Sequence, residues 1–177
     1  MGRWFAALAV VAIAVGALTG CASQRCDPSA SPAPAEVPEG VGPIYPLGTP
    51  IVTGEWRIVV NSVTTCADAL VKRASDLNRE PDSGEEYIVV SLTVTYLGSD
   101  RLGRIPSWTH MHYVRPGYFV SHTNAIVDPP PSLAPFPLRP GESTTGNVAL
   151  IVPSPVDGVL SFKPGPYPTE TYYSAVR

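Results

Sequence analysis

The sequence predicts an all-β protein: an antiparallel β-sandwich carried behind an N-terminal leader and a spacer. Three observations lead there. Short runs of β-branched and aromatic residues with period-2 alternation recur from residue 50 onward. Gly and Pro turn signals separate these runs, and six to eight short strands in roughly 125 residues suit two packed sheets. Only one stretch, "CADALVKRASDL" at residues 66 to 77, carries a helical pattern, and it is short.

The first twenty residues, "MGRWFAALAVVAIAVGALTG", stand apart from the domain. Arg3 gives a positive start, Trp4 to Val15 form an uncharged apolar run, and small residues follow. The run is shorter than a comfortable membrane span, which is the pattern of a signal peptide. Leu18-Thr19-Gly20-Cys21 resembles a bacterial lipobox, the processing motif of prolipoproteins. That resemblance implies cleavage at the Gly20–Cys21 bond and a diacylglycerol thioether on the Cys21 thiol. Two acyl chains, at roughly 0.8 kcal/mol per buried methylene, hold a protein stably at a membrane surface. The expected location is the extracytoplasmic face of the cell membrane, anchored through Cys21. No other segment approaches the roughly 18 consecutive apolar residues that a span needs.

Behind the leader, "ASQRCDPSASPAPAEVPEGVGPIYPLG" is rich in Pro, Ala, Ser and Gly and poor in large apolar side chains. Such a stretch buries too little surface to offset its ordering entropy, and Pro favours extended polyproline II. The expected division is a signal peptide at 1–20, a linker at 21–48 and a sandwich domain at 49–177. With Cys21 taken by lipid, Cys26 and Cys66 remain as an even pair in an oxidising compartment. A bridge between them closes a loop of about forty residues, worth roughly 3–4 kcal/mol in the chain-entropy model. It would also pin the tether to the domain; the alternative is two unpaired thiols.

The strands follow in order. "WRIVV" puts Trp56, Ile58 and Val60 on one face. In "EYIVVSLTVTYLG", Ile88, Val90, Leu92, Val94 and Tyr96 alternate with Tyr87, Val89, Ser91, Thr93 and Thr95, giving one fully apolar face. "MHYV" and "YFVSH" flank Arg115-Pro116-Gly117, a hairpin turn in which Pro presets φ and Gly tolerates positive φ. "DPPPSLAPFPLRPGES" cannot serve as a central strand, because Pro lacks the ladder donor. Gly146, Val148, Leu150 and Val152 alternate up to Pro153, and "GVLSF" supplies the last strand.

The order "GEWRIVV", "GEEYIVVSLTVTYLG", "LRPGESTTGNVALIVP", "GVLSF" resembles the uncharacterised immunoglobulin-like domains of Gram-positive and actinobacterial lipoproteins. It is also similar to the small secreted immunogenic β-sandwich proteins of mycobacteria. Two positions depart from that pattern: Tyr96-Leu97-Gly98 stands where an Asn-rich turn is usual, and Leu150 where Phe is frequent. The resemblance spans about residues 48 to 165 and implies an immunoglobulin-like antiparallel sandwich in an extracytoplasmic location. It implies no activity, since the family has none established.

The chemistry-bearing residues are sparse. Charged residues make up 15% of the chain and the formal net charge is −3, which gives no electrostatic reason to expect nucleic acid. No nucleophile elbow, zinc-protease helix, paired-cysteine motif, phosphate loop or dinucleotide fingerprint is present, so neither a catalytic residue nor a cofactor is expected. "GESTTG" at 141–146 lacks the following Lys and helix of a phosphate loop and reads as a turn entering a strand. Asp76, Glu80, Asp82, Glu85 and Glu86 crowd one loop, a source of oxygens for calcium, but without the EF-hand spacing.

The three histidines are the sharpest candidates. His110 and His112 share a strand face by period, and His122 lies on the return strand. With a three-residue turn, His110 falls opposite His122 and all three imidazoles share a face suited to copper or zinc. With a two-residue turn, Met111 takes that place and His122 leaves the face. "PSWTHMHY" and "GPYPTETYY" offer Trp and Tyr anchors for a partner surface. The expectation is a non-catalytic lipoprotein whose sandwich binds a protein or cell-envelope partner. The alternative is a copper- or zinc-binding lipoprotein using His110, His112 and His122, and a weaker third is a hydrolase with a dispersed site.

Overall fold

The computed structural model describes residues 41–106, 110–121, 125–133, 135–163 and 170–177. In chain order the elements are β1 (Ile44–Tyr45), β2 (Pro50–Thr53), β3 (Trp56–Thr64), α1 (Asp68–Ala74), β4 (Glu85–Tyr96), β5 (His110–Arg115), β6 (Tyr118–Ser121), β7 (Ser143–Pro153), β8 (Val159–Lys163) and β9 (Tyr172–Ser174). They form a β-sandwich of a four-stranded sheet, β2-β3-β4-β7, and a five-stranded sheet, β1-β9-β8-β5-β6. Adjacent strands pair antiparallel except β1 with β9, which run parallel.

The core between the sheets follows from the alternation. Trp56, Ile58 and Val60 of β3, Ile88, Val90, Leu92, Val94 and Tyr96 of β4, and Val148, Leu150 and Val152 of β7 all point inward and are buried. Met111, Tyr113, Leu160 and Phe162 close the core from the other sheet. The Trp56 and Tyr96 rings meet at a centroid distance of 5.0 Å and a tilt of 52°, a favourable aromatic arrangement. In β3 an extra residue between Val60 and Ser62 breaks the register, a bulge that leaves Asn61 pointing outward.

The outer face of the four-stranded sheet is divided in two. At one end Tyr87, Val89, Ala149 and Ile151 are buried although they face away from the main core. Ala67 and Val71 of the α1 segment lie on them and form a second small core. Beyond the helix the same face turns polar: Asn61, Thr93 and Thr145 are linked side chain to side chain, and Thr95 bonds Ser143 at 2.8 Å. The switch from Tyr87 and Val89 to Ser91, Thr93 and Thr95 therefore marks where the helix stops covering the sheet.

Three strands lie outside those expected. Ile44–Tyr45 falls in the stretch read as spacer, and pairs with Tyr173–Ser174. Pro50–Thr53 pairs with β3, and Tyr172–Ser174 adds a strand after "VLSF". All three are short, so their period-2 signal is too brief to register, and pairing rather than pattern makes them strands.

The Pro-rich segment takes the role its missing donors allow. It runs along the outer edge of β7 as a strap: the Asn147 N–H donates to the Pro131 carbonyl at 2.7 Å, and the Ala149 N–H to Asp128 Oδ1 at 2.7 Å. The Asn147 side chain donates to the Pro129 and Pro130 carbonyls, each at 3.2 Å. The edge of the sheet is thereby covered instead of being left open to another chain.

Candidate functional site

The histidine hairpin resolves the turn ambiguity. Arg115 pairs with Tyr118 across Pro116-Gly117, where Gly117 has φ 74°, and the register continues to His112 opposite Ser121. This is the two-residue turn, the alternative in which the three-histidine face does not form. His112 is half-buried beside β8, in register with the buried Ser161, and His110 pairs in register with Lys163. His122 lies outside the described residues. Among the described residues no three His, Cys, Asp or Glu side chains gather as a metal site.

On the inner face of the same strand, Tyr113 is fully buried. Its hydroxyl accepts the N–H groups of Asp157 at 2.9 Å and Gly158 at 2.5 Å, and donates to Asp157 Oδ1 at 3.2 Å. Arg115 closes the cluster with contacts of 3.1 and 3.2 Å to the two Asp157 oxygens. Burial pushes the Tyr113 pKa up to about 12, against the opposing pull of the two backbone donors. These groups fix the turn that leads into β8. They saturate one another, which is the arrangement of a structural corner.

The carboxylate loop diverges instead of converging. Arg79 sits within it and pairs with Asp82 at 3.3 Å and Glu85 at 3.2 Å. Asp76 reaches only Lys72, at 4.0 Å. Glu86 turns inward and, almost fully buried, accepts the Cys66 N–H at 2.8 Å. Cys66 itself holds a left-handed φ of 54°, an uncommon conformation for a residue with a Cβ. Two further bonds clamp the same corner to β4: Ala67 N–H to the Tyr87 carbonyl at 2.9 Å, and Tyr87 N–H to Asp68 Oδ1 at 2.7 Å. Cys21 and Cys26 lie outside the described residues.

Past the helix, a residue that the sequence reading passed over organises the surface. Asn78 is 1% exposed. Its Nδ2 donates to the carbonyls of Val71 at 2.9 Å and Val127 at 2.8 Å, and its Oδ1 accepts the N–H groups of Ile126 and Val127, both at 2.9 Å. One amide thus joins the end of α1, its following loop and the start of the strap. The side chains displayed on this platform are apolar: Leu77 is 69% exposed, Ile126 69% and Val127 38%. Asp68, Lys72, Arg79, Glu80 and Tyr87 line a shallow groove of about 320 Å³ beside it. Burial raises the Tyr87 pKa there, partly offset by Arg79.

The candidate site is therefore a surface rather than a cleft, in two parts: the apolar platform at the α1 end, and the uncharged hydroxyl array on the uncovered half of the sheet. Neither holds a nucleophile beside a base. The expected aromatic anchors take other places: Tyr113 is core, Tyr172 and Tyr173 belong to β9 and are half-buried, and Trp108 and Tyr167 lie outside the described residues. Loop position alone did not distinguish Asn78 from its exposed neighbours, because its partners at Ile126 and Val127 are distant in the chain.

No protein-family model and no curated protein sequence matches the chain. Among solved structures, the fold is similar to an uncharacterized β-sandwich protein of Clostridium difficile 630, at 15% identity over 76% of this chain and 95% of that one, with a TM-score of 0.46. It is similar to a candidate lipoprotein of Bacillus subtilis, ycdA, at 16% identity and TM-score 0.48. That match covers 71% of this chain but only 38% of the longer one. The yjhA protein of Bacillus subtilis matches at 13% identity over 74% and 98% of the two chains, with a TM-score of 0.49. The assignment as a β-sandwich rests on the strand pairing itself.

Proposed function

We propose that this chain is a lipid-anchored protein of the extracytoplasmic membrane face whose β-sandwich binds a protein or cell-envelope partner without catalysis. The observation that carries the anchor is the Leu18-Thr19-Gly20-Cys21 motif at the end of an apolar leader. The narrower origin, an actinobacterial lipoprotein related to the mycobacterial secreted sandwiches, rests on the strand order alone. The Cys26–Cys66 bridge is supported by cysteine parity: with Cys21 taken by lipid, those two thiols remain as an even pair in an oxidising compartment.

For the binding role, the supporting feature is the hydroxyl array of Asn61, Thr93, Thr95, Ser143 and Thr145. Its side chains are held flat by mutual hydrogen bonds and lie on the half of the sheet that α1 leaves open. The test is incorporation of labelled lipid, followed by capture of partners from solubilised envelope with the lipidated full chain. Cys21→Ala is expected to abolish lipid incorporation. Thr93→Glu with Thr145→Glu is expected to abolish capture. A Cys21→Ala chain that still carries lipid sinks the anchor, and capture unchanged by the paired glutamates removes this face from the binding role.

A further inference from the structure

We propose that the α1 end of the domain is a membrane-contact face, on which Leu77, Ile126 and Val127 enter the interfacial layer of the bilayer that holds the anchor. The inference rests on the lipid-anchor and Cys26–Cys66 readings above, and adds an orientation to them. The argument begins with chain length. Counted along the backbone, the chain from Cys21 to the first described strand at Ile44 could reach about 80 Å at full extension, a length that sets no orientation. A bridge at Cys26 shortens the effective leash to five residues, about 17 Å at full extension.

That distance is short compared with the domain. The nine residues of β3 alone span roughly 30 Å, from the β2–β3 turn at Gly54-Glu55 to the corner where Cys66 lies. A lipid tied so closely to Cys66 holds this corner toward the bilayer and turns Glu55 away from it. From the same corner α1 extends seven residues, about 10 Å, and delivers Leu77 and the Asn78 platform. Exposed apolar side chains on a rigid, hydrogen-bonded support are thus placed where the leash brings lipid.

The charges nearby decide the kind of contact. Lys72 and Arg73 are exposed, but Asp76, Glu80 and Asp82 balance them and Arg79 is paired within the loop. Attraction to anionic headgroups is therefore small, and apolar insertion supplies the contact. Binding of this face is expected in zwitterionic lipid and to persist as salt is raised. It leaves the hydroxyl array, toward the Glu55 end of the sheet, directed into the envelope space.

The experiment places single Trp reporters, Leu77→Trp, Ile126→Trp and Glu55→Trp, in the lipidated full chain. Each is reconstituted in phosphatidylcholine vesicles containing acyl-brominated phospholipid, with the emission of the unsubstituted chain subtracted. Quenching at 77 and 126 is expected to be at least about twofold stronger than at 55, because interfacial side chains reach the acyl boundary. Cys26→Ser, which lengthens the leash, is expected to erase the difference. Equal quenching at all three positions overturns the proposal when mass spectrometry shows lipid on Cys21 and no thiol at Cys26 or Cys66. A difference that persists in Cys26→Ser overturns the leash as its cause. A chain without lipid, or with both thiols free, is recognised by the same mass measurement and sinks the underlying reading together with the proposal.

Discussion

Tyr113 shows how a single side chain carries a pH dependence. Its phenol is buried and neutral in the fold, with a pKa of about 12 against an ordinary value of 10.0. A folded-state pKa above the unfolded one means the native state holds the proton more tightly. The associated stability is complete below pH 10 and is lost as pH rises from there through about 12. Denaturant unfolding measured across that range is expected to show a fall in stability for the native chain. Tyr113→Phe, which cannot ionise, is expected to remove Tyr113's share of that fall. At pH 7 the same substitution is expected to cost about 1–3 kcal/mol, since the Asp157 and Gly158 N–H groups lose their acceptor. An unaltered alkaline slope would show that the fall arises elsewhere. Asn78, which does not titrate, likewise spends its amide on backbone partners, on α1 and on the start of the strap.

At the scale of elements, α1 and the strap solve one problem each. The helix covers an apolar half of a sheet face, and the strap covers the unpaired edge of β7. The strap lies so close that a Cβ at Gly146 would stand 2.4 Å from the backbone of Leu133. Gly146→Val is therefore expected to lift the strap and expose the β7 edge, costing about 1–3 kcal/mol, and to make the protein self-associate through that edge. Unfolding midpoints together with light scattering check this. A variant of normal stability that scatters no more light than the native chain would refute the edge-protection role.

For the whole molecule, the proposed bridge from Cys26 to Cys66 is the feature whose loss should be felt globally. Reduction is expected to lower stability by roughly 3–4 kcal/mol, as cross-linking a loop of about forty residues implies. Paired urea titrations with and without reductant measure it, and coincident curves would refute the bridge. The fold was largely legible in advance because β3, β4 and β7 are long and carry apolar residues at alternate positions over most of their length, so one face of each had to be buried. β1, β2 and β9 were not, because strands of two to four residues owe their existence to partners distant in the chain.

The site was much less legible. The histidine face depended on a single residue of register, which only the pairing of Arg115 with Tyr118 decides. The carboxylates looked clustered because they are close in sequence, yet Glu86 faces inward, and Arg79 draws Asp82 and Glu85 to itself. The apolar platform needs the Asn78 loop joined to the backbone of Ile126 and Val127, and nothing local in either segment announces the other.

The sequence by itself determined the sandwich class, the positions of its long strands and the Pro-rich segment's exclusion from the sheet interior, since each follows from local period and donor count. It also carries the apolar N-terminal run and the lipobox-like motif, which are read as linear strings. Tertiary structure alone decided the hairpin register, the covering of half a sheet face by α1, the strap along β7 and the platform built on Asn78. Those are contacts between residues far apart in the chain, set by packing and hydrogen bonding that no local pattern encodes.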